Sequence, residues 1–447
     1  MTHAHEVPNQ SGSDHVASRR ELPVPTVMVV DPRFGALAGQ FFRLFEQTSD
    51  GGGALAVYLH GGPVVDIWSG WATRTTRWQS DTVSVSFSTG KGVASTVLHR
   101  LVDRGLIDYD APVAQYWPEF ASAGKDTVTV RELLSHRAGL HRVRGLVPGR
   151  LALLDHDGLA SALACATPDR RRTVMPGYHA VTFGSLVAEL TTQVTGMSFT
   201  DLVRTEIAEP LALREFWFQV PDQERRRIAK LFPRINPFGI PWGVTSFALS
   251  RTPGLKNLAA AGMPDGFDEL VRNPAIHDHV MPGWNGVFNA RALARMYAAI
   301  ANRGMVDGIR FLSEDTVAQI GEVQTTARDY VLGLRMNWRL GYHHAFVASR
   351  DQSPSAFGHY GLGGSGAFAD PDTGLSVAFV TNRMGNTLTP GRPTTCQTGR
   401  DGRIDRAPTV SRNAIDVCTD PRVCTLRNTA AQAAHVSVRQ IITGHIA

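Results

Sequence analysis

A serine and a lysine stand three residues apart, as Ser88-x-x-Lys91, where the alternating run 83–87 gives way to a helical pattern. Residues three apart on a helix lie on one face, so the Lys91 amine can reach the Ser88 hydroxyl. That hydroxyl is a weak nucleophile and needs an adjacent base. A lysine packed under the helix can accept a proton if its pKa is lowered, or it can act as a fixed positive charge. Because two fixed letters recur by chance, the strand-to-helix setting carries most of the information.

A tyrosine and a glycine-rich stretch are two further candidate elements. Tyr178 follows a Pro-Gly pair and precedes a helical pattern. A phenol beside a lysine ammonium loses its proton more readily, so Tyr178 is a candidate general base. The stretch 359–365 precedes a strand, and its backbone N–H groups could join that of Ser88 in an oxyanion hole. Each element also has a structural interpretation, namely a tyrosine packed near a helix start and a glycine-rich turn.

Together the three elements resemble the serine β-lactamase and penicillin-binding superfamily, in particular its class C-like branch, which includes the family VIII carboxylesterases. The order of the motifs matches: S-x-x-K, then Tyr178, then His359-Tyr360-Gly361 in place of Lys-Thr-Gly. The resemblance covers about residues 30–385. It implies an α/β (α+β) fold, with an antiparallel sheet flanked by helices, an all-helical domain and the site between them.

Two departures from the class C motifs bear on the substrate. In those enzymes the tyrosine belongs to Tyr-x-Asn, whose amide contacts the lactam side chain, whereas the third residue here is Ala180. The lysine of Lys-Thr-Gly, which helps to hold a substrate carboxylate, is replaced by His359. Histidine is mostly neutral at pH 7. Both changes weaken recognition of an acidic β-lactam and leave the residues for acyl transfer in place.

The secondary-structure pattern places strands at both ends of the fold and helices between them. Strand-like runs at 54–60 and 64–69 flank a Gly-Gly-Pro turn, and runs at 364–369 and 375–381 flank a second turn. A helical insertion between two halves of one antiparallel sheet is the simplest arrangement. The predicted division is a disordered arm at 1–25, a catalytic domain at 26–384 (sheet halves at about 26–90 and 340–384, helical insertion at about 106–339) and an atypical basic tail at 385–447.

Composition and charge limit the remaining function classes. The chain has 447 residues, of which 43% are hydrophobic and 19% charged, so wholesale disorder is excluded. The tail 385–447 holds eight arginines and four aspartates, which is four of the five net positive charges. The body is nearly neutral, so we expect no nucleic-acid partner. The four cysteines include no C-x-x-C pair, so we expect no structural zinc.

No segment of the sequence predicts export or membrane insertion. The first 25 residues lack an apolar h-region, and no run of 18 apolar residues occurs. We therefore expect a cytoplasmic protein without stable membrane insertion. The pattern does not determine the oligomeric state.

The leading hypothesis is a serine carboxylesterase that acts on small-molecule esters through an acyl-enzyme on Ser88, without metal or cofactor. Tyr178, its pKa lowered by Lys91, would take the Ser88 proton. The N–H groups of Ser88 and Leu362, beside Gly361, would bind the oxyanion, and His359 would orient Tyr178 or the substrate. The aromatic-rich loop 232–285 would shape an apolar pocket. The alternatives are a β-lactamase or D-alanyl carboxypeptidase, and a catalytically inactive relative that binds ligands.

Overall fold

The computed structural model describes residues 27–46, 51–233, 256–262, 266–345 and 355–384. The predicted arm at 1–25 and the predicted tail at 385–447 lie outside these ranges, and the domain division stays a prediction. The strands are β1 Val29–Val30, β2 Gly52–Leu59, β3 Gly62–Gly70, β4 Ser84–Val85, β5 Phe216–Trp217, β6 Phe232–Pro233, β7 Val287–Phe288, β8 Met305–Val306, β9 Ile309–Arg310, β10 His343–His344, β11 Phe357–Tyr360, β12 Gly366–Asp370, β13 Leu375–Thr381 and β14 Arg383–Met384.

The main sheet has seven strands in the order β1-β3-β2-β13-β12-β11-β10, and all neighbours in it are antiparallel. Strands from the two ends of the described chain meet at its centre. There β2 pairs with β13 over seven positions, from Leu59 opposite Leu375 to Gly53 opposite Thr381. The predicted fold class, an antiparallel sheet with helices, is confirmed.

Ten α-helices lie in the described ranges. They are α1 Gly35–Arg43, α2 Thr89–Asp103, α3 Val130–Leu134, α4 His156–Cys165, α5 Thr182–Thr195, α6 Phe199–Val203, α7 Lys256–Gly262, α8 Phe267–Leu270, α9 Ala290–Ala301 and α10 Glu314–Gly321. Side-chain caps fix several starts. Thr129, for example, accepts from the Glu132 N–H while the Glu132 carboxylate accepts from the Thr129 N–H. None of these helices combines the length and apolar character needed to cross a bilayer.

Each face of the sheet is covered by a helix. On one face α9 packs against β2, β12 and β13, where alanines such as Ala56 and Ala378 allow a close approach. On the other face the apolar side of α1, with Phe41 and the preceding Phe34, packs over β2, β3 and β13. Helix α2 packs against α5 and also against β11. It is buried along nearly its whole length, so the residues at its start lie between the sheet and the helical region.

Two local predictions differ from the structure. The run 83–87 is a strand only at Ser84–Val85, because its neighbour β7 is two residues long. The loop predicted at 232–285 contains α7, α8 and a 3-10 helix at Pro274–Asp278. Trp284 is buried against Phe267, with ring centroids 5.2 Å apart, so it belongs to the core. Phe232 lies in β6, whereas Phe238, Trp242 and Phe247 lie outside the described residues.

Candidate active site

Ser88 stands at the N-terminus of α2, directly after a sharp turn. Phe87 has φ +48°, a left-handed conformation that is uncommon for a bulky residue. Its side chain is buried in the core, and this packing holds the strained turn in place. Ser88 itself is already helical, at φ −64° and ψ −7°. The turn therefore presents its hydroxyl at the start of a buried helix.

Lys91 is completely buried, one turn further along α2. Its Nζ lies 2.9 Å from Ser88 Oγ and 2.6 Å from each of the carbonyl oxygens of Ala180 and Gly283. None of the ion pairs between described residues includes Lys91. Burial lowers the pKa of this amine well below its usual value. A neutral amine has two N–H groups and one lone pair. A neutral amine with its N–H groups on the two carbonyls would turn its lone pair towards the Ser88 hydroxyl, whereas an ammonium would donate to all three oxygens.

Tyr178 contacts the same hydroxyl from the helical region. Its Oη lies 2.9 Å from Ser88 Oγ and can donate to it. Burial raises the pKa of the Tyr178 phenol above its usual value, although the hydrogen bond to Ser88 acts in the opposite direction. The expectation that Lys91 lowers this pKa is therefore wrong. Burial thus acts against the charged form of both side chains, the phenolate of Tyr178 and the ammonium of Lys91.

The stretch that carries Gly361 and Leu362 packs against the turn before Ser88. A Cβ on Gly361 would collide with the carbonyl oxygen of Ser86 and would lie 3.1 Å from the Phe87 Cβ, so only glycine fits. The Ser88 and Leu362 N–H groups have no backbone carbonyl as a partner in the loops and turns of the described chain.

His359 lies on β11 next to Tyr178. The ring centroids are 6.2 Å apart at an interplanar angle of 27°. His359 is 1% exposed, and burial lowers the pKa of its imidazole well below the usual value. Its Nδ1 lies 3.2 Å from the Tyr360 carbonyl oxygen, whereas its Nε2 is buried without a partner. At the position of the class C lysine, this chain therefore has a neutral ring.

The structure adds groups that the sequence did not identify. The carbonyls of Ala180 and Gly283 hold Lys91, but every residue has a carbonyl, so no sequence signal marks them. Trp338 stacks on the Tyr178 ring and donates to Asp329; neither residue belongs to a recognisable motif. His136 lies 5.1 Å from the Tyr178 ring in an edge-on contact, measured between ring centroids. Within the described ranges, no three His, Cys, Asp or Glu residues are grouped to bind a metal.

Known proteins with similar sequences or structures share this architecture. The Esterase/beta-lactamase LipL of Mycobacterium tuberculosis is 41% identical over 370 residues, which are 79% of this chain and 82% of that protein. The crystal structure of a family VIII carboxylesterase matches with a TM-score of 0.74 at 31% identity, over 91% of this chain and 98% of that one. EstA from Arthrobacter nitroguajacolicus matches with a TM-score of 0.72 at 25% identity, over 92% and 98%. The family model described as Beta-lactamase matches residues 41–394. Since that match spans most of the sequence, the chain belongs to the β-lactamase family.

Proposed function

We propose that the protein is a serine carboxylesterase that forms an acyl-enzyme on Ser88. The observation that carries the proposal is that Ser88 Oγ lies 2.9 Å from both Lys91 Nζ and Tyr178 Oη. A hydroxyl becomes an effective nucleophile when one neighbour can accept its proton. A second neighbour that carries a proton can then donate it to the leaving group. The two neutral side chains provide both functions.

In acylation, Ser88 Oγ attacks the ester carbonyl carbon while its proton passes to the Lys91 lone pair. The backbone N–H groups of Ser88 and Leu362 stabilise the oxyanion. As the C–O bond of the ester breaks, Tyr178 gives its proton to the departing alcohol. The step leaves an acylated serine, a Lys91 ammonium and a Tyr178 phenolate, which stabilise each other as opposite charges. Lys91, rather than Tyr178, is the base of this first half-reaction.

In deacylation, the Tyr178 phenolate takes a proton from water, and the resulting hydroxide attacks the acyl carbon. The bond to Ser88 Oγ then breaks, and Lys91 returns its proton to this oxygen. Ester and water are converted to acid and alcohol, and all three side chains regain their starting protonation. Each proton moves between groups that lie within hydrogen-bond reach or through one water, as general acid–base catalysis requires.

Two features favour esters over β-lactams as substrates. His359 is neutral where the class C enzymes carry a lysine, so no cation is available there for the lactam carboxylate. Ala180 has no side-chain amide, and its carbonyl oxygen is occupied by Lys91. A carboxylic ester needs neither contact. The structure named as a family VIII carboxylesterase is consistent with this preference.

The substitution Ser88→Ala tests the proposal. We expect the variant to lose hydrolysis of p-nitrophenyl esters by at least about a thousand-fold, since knocking out a catalytic serine removes most of the rate enhancement. It should also lose labelling by a fluorophosphonate probe. Ser185→Ala is the matched control, because Ser185 is a buried serine on α5 whose hydroxyl has no partner. Labelling that persists in Ser88→Ala would assign the nucleophile elsewhere, and loss of labelling in Ser185→Ala would assign it to Ser185.

A β-lactamase is the second candidate, because the name of the Mycobacterium tuberculosis relative carries both activities. Turnover of nitrocefin much faster than that of p-nitrophenyl esters would favour it, and release of D-alanine from a peptide would favour the carboxypeptidase. A wild-type protein that no fluorophosphonate labels would support the inactive binding relative.

A further inference from the structure

A buried carboxyl group, that of Asp329, lies close to the backbone of Tyr178. Asp329 is 0% exposed. Its Oδ1 accepts from the N–H groups of Val331 and Leu332, each at 2.9 Å, and its Oδ2 accepts from Trp338 Nε1 at 3.0 Å. No ion pair in the described part of the chain includes Asp329. A buried carboxylate without a cation is costly, so its donors must compensate for the loss of water.

Trp338 connects this carboxyl group to the phenol. The Trp338 and Tyr178 rings are nearly parallel, with an interplanar angle of 11° and centroids 5.6 Å apart. This is an offset-stacked distance for two aromatic rings. Trp338 is fully buried, and its indole N–H bond to Asp329 fixes the rotation of the ring in its plane. Any change at Asp329 that moves the indole therefore moves the surface on which the phenol lies.

The backbone around Tyr178 is held by the same segment. The Tyr330 N–H donates to the Pro176 carbonyl at 3.0 Å, and the Tyr178 backbone lies close enough to the Asp329 carboxyl group to lower its pKa, against the larger effect of burial. Gly177 has no room for a side chain, since a Cβ there would collide with the Tyr330 ring. Both the ring and the main chain of Tyr178 thus depend on contacts with residues 329–338.

We propose that Asp329 is a positioning residue for catalysis, which acts through Trp338 and the backbone of Tyr178 to hold the phenol oxygen at hydrogen-bond distance from Ser88. The inference rests on the proposed function, in which Tyr178 donates to the leaving alcohol and then activates water. Misplacing a reacting group by about 1 Å can cost roughly 100-fold in rate. Tyr178 comes from a loop far from Ser88 in sequence, so it needs such support.

The charge of Asp329 gives a second effect on Tyr178. The carboxylate raises the pKa of the phenol, after the larger effect of burial. The pKa of Asp329 itself is raised to about 6 by burial, so the group is ionised at neutral pH. Removing its charge should therefore lower the pKa of Tyr178 and bring the alkaline limb of the rate profile to lower pH. The other titratable or charged groups against Tyr178, Trp338 and Tyr330 are Lys91, His136, His359, His343, His141 and Arg171.

The test compares Asp329→Asn with the wild type in the intact chain. In this variant an amide NH2 group replaces the oxygen that accepts from Trp338 Nε1, so two donors face each other. The side-chain volume hardly changes. We expect kcat per fluorophosphonate-labelled site to fall about 10- to 100-fold, as for other outer residues that orient a reactive group. KM should change much less, and the alkaline limb should move to lower pH. A wild-type kcat and pH profile per labelled site would overturn the proposal, whatever happens to the melting temperature.

Trp338→Phe keeps the carboxylate and removes the N–H donor, so it carries the test if Asp329→Asn does not fold. Its kcat per labelled site should also fall, and an unchanged value would contradict the proposal. The double variant combines Asp329→Asn with Trp338→Phe, so no indole N–H is left to face the asparagine amide. Its kcat per labelled site should therefore be no lower than that of Asp329→Asn. Fully additive losses would mean that the two residues act independently.

Asp103→Asn is the matched control. Asp103 ends α2, and its carboxylate accepts from the Ser313 N–H and hydroxyl and from the Thr316 hydroxyl. The change should lower the melting temperature but leave kcat per labelled site and the alkaline limb as they are. An equal shift of that limb in the control would show that the readout reports stability and would overturn the proposal. If wild-type Ser88 is neither labelled nor active on esters, the proposed function fails instead.

Discussion

Lys91 Nζ lies 2.9 Å from Ser88 Oγ, with two main-chain carbonyls as its other partners. A second buried lysine shows what this arrangement means. Lys125 Nζ donates to three carbonyls, those of Ser122, Ala164 and Ala166, and its bonds are complete without a side chain. Lys125 is a structural cap, whereas Lys91 has one position left for a reactive hydroxyl.

Replacing Lys91 removes the proposed proton acceptor. We expect Lys91→Met to lower kcat for ester hydrolysis about 100- to 10,000-fold, the usual contribution of a general base. In Lys125→Met, kcat per labelled site should stay constant. The free energy of unfolding should fall by about 3 kcal/mol or more, since each buried carbonyl left without a donor costs about 1–3 kcal/mol. Steady-state kinetics measures kcat in both variants, and urea denaturation measures the free energy of unfolding. An active Lys91→Met would mean that Tyr178 is the base of acylation.

Tyr178→Phe removes a hydroxyl and keeps the ring that stacks on Trp338. We expect kcat to fall about 100- to 10,000-fold, because the leaving alcohol loses its proton donor and water its base. The melting temperature should change little. Tyr116→Phe serves as the control, since the Tyr116 hydroxyl only accepts from the Asp108 N–H at the surface. Comparable activity in the two variants would remove Tyr178 from the mechanism.

Gly361→Ala tests the stretch that carries the Leu362 N–H. The φ of Gly361 is −103°, which alanine adopts, so the effect is purely steric. The new methyl group would collide with the Ser86 carbonyl and displace the oxyanion donor. We expect kcat to fall by up to about 100- to 1000-fold, the cost of one such donor. Gly35→Ala, at the open start of α1, should behave as the wild type. A fully active Gly361→Ala would argue against Leu362 as a donor.

Buried histidines should make the protein sensitive to acid. Burial lowers the pKa of His99 to about 3, although its carbonyl contact acts in the opposite direction. An unfolded histidine has a pKa near 6.5, so the unfolded state binds more protons as the pH falls below that value. Each such histidine then costs about 2 kcal/mol of stability at pH 5 relative to neutral pH. His179, with its pKa also lowered to about 3 by burial, adds to this loss.

The comparison of His99→Gln with the wild type isolates this effect. We measure the free energy of unfolding of both proteins by urea denaturation at pH 7.5 and pH 5. The loss in His99→Gln relative to the wild type should be about 2 kcal/mol smaller at pH 5, because glutamine does not titrate. Burial raises the pKa of Asp329, so this group changes the free energy of unfolding with pH in the direction opposite to His99. The effect is the same in the wild type and in His99→Gln, so it cancels in the comparison. Equal penalties for His99→Gln at both pH values would contradict the assignment.

Local patterns were sufficient for most of the sheet. The predicted runs at 54–60 and 64–69 correspond to β2 and β3 within two residues, and 375–381 matches β13. Alternation and turn residues are local properties, so they can be recognised without the fold. The strand predicted at 83–87 was too long, because the length of a strand depends on the length of its partner strand. The helices within 232–285 were missed, since propensity is weak next to tertiary packing.

The sequence by itself determined the contact between Ser88 and Lys91. The two residues are three positions apart at the start of one helix, and helix geometry brings them together. The motif order pointed to the family through resemblance. Only the tertiary structure supplied the contacts and the burial on which the proposed choice of Lys91 as the base rests. The carbonyls that hold Lys91 lie 89 and 192 residues away, and no residue type marks them. Burial reverses the expected direction of the Tyr178 pKa, and Asp329 reaches the site only through Trp338. Burial is a property of the whole packed chain, which no local pattern contains.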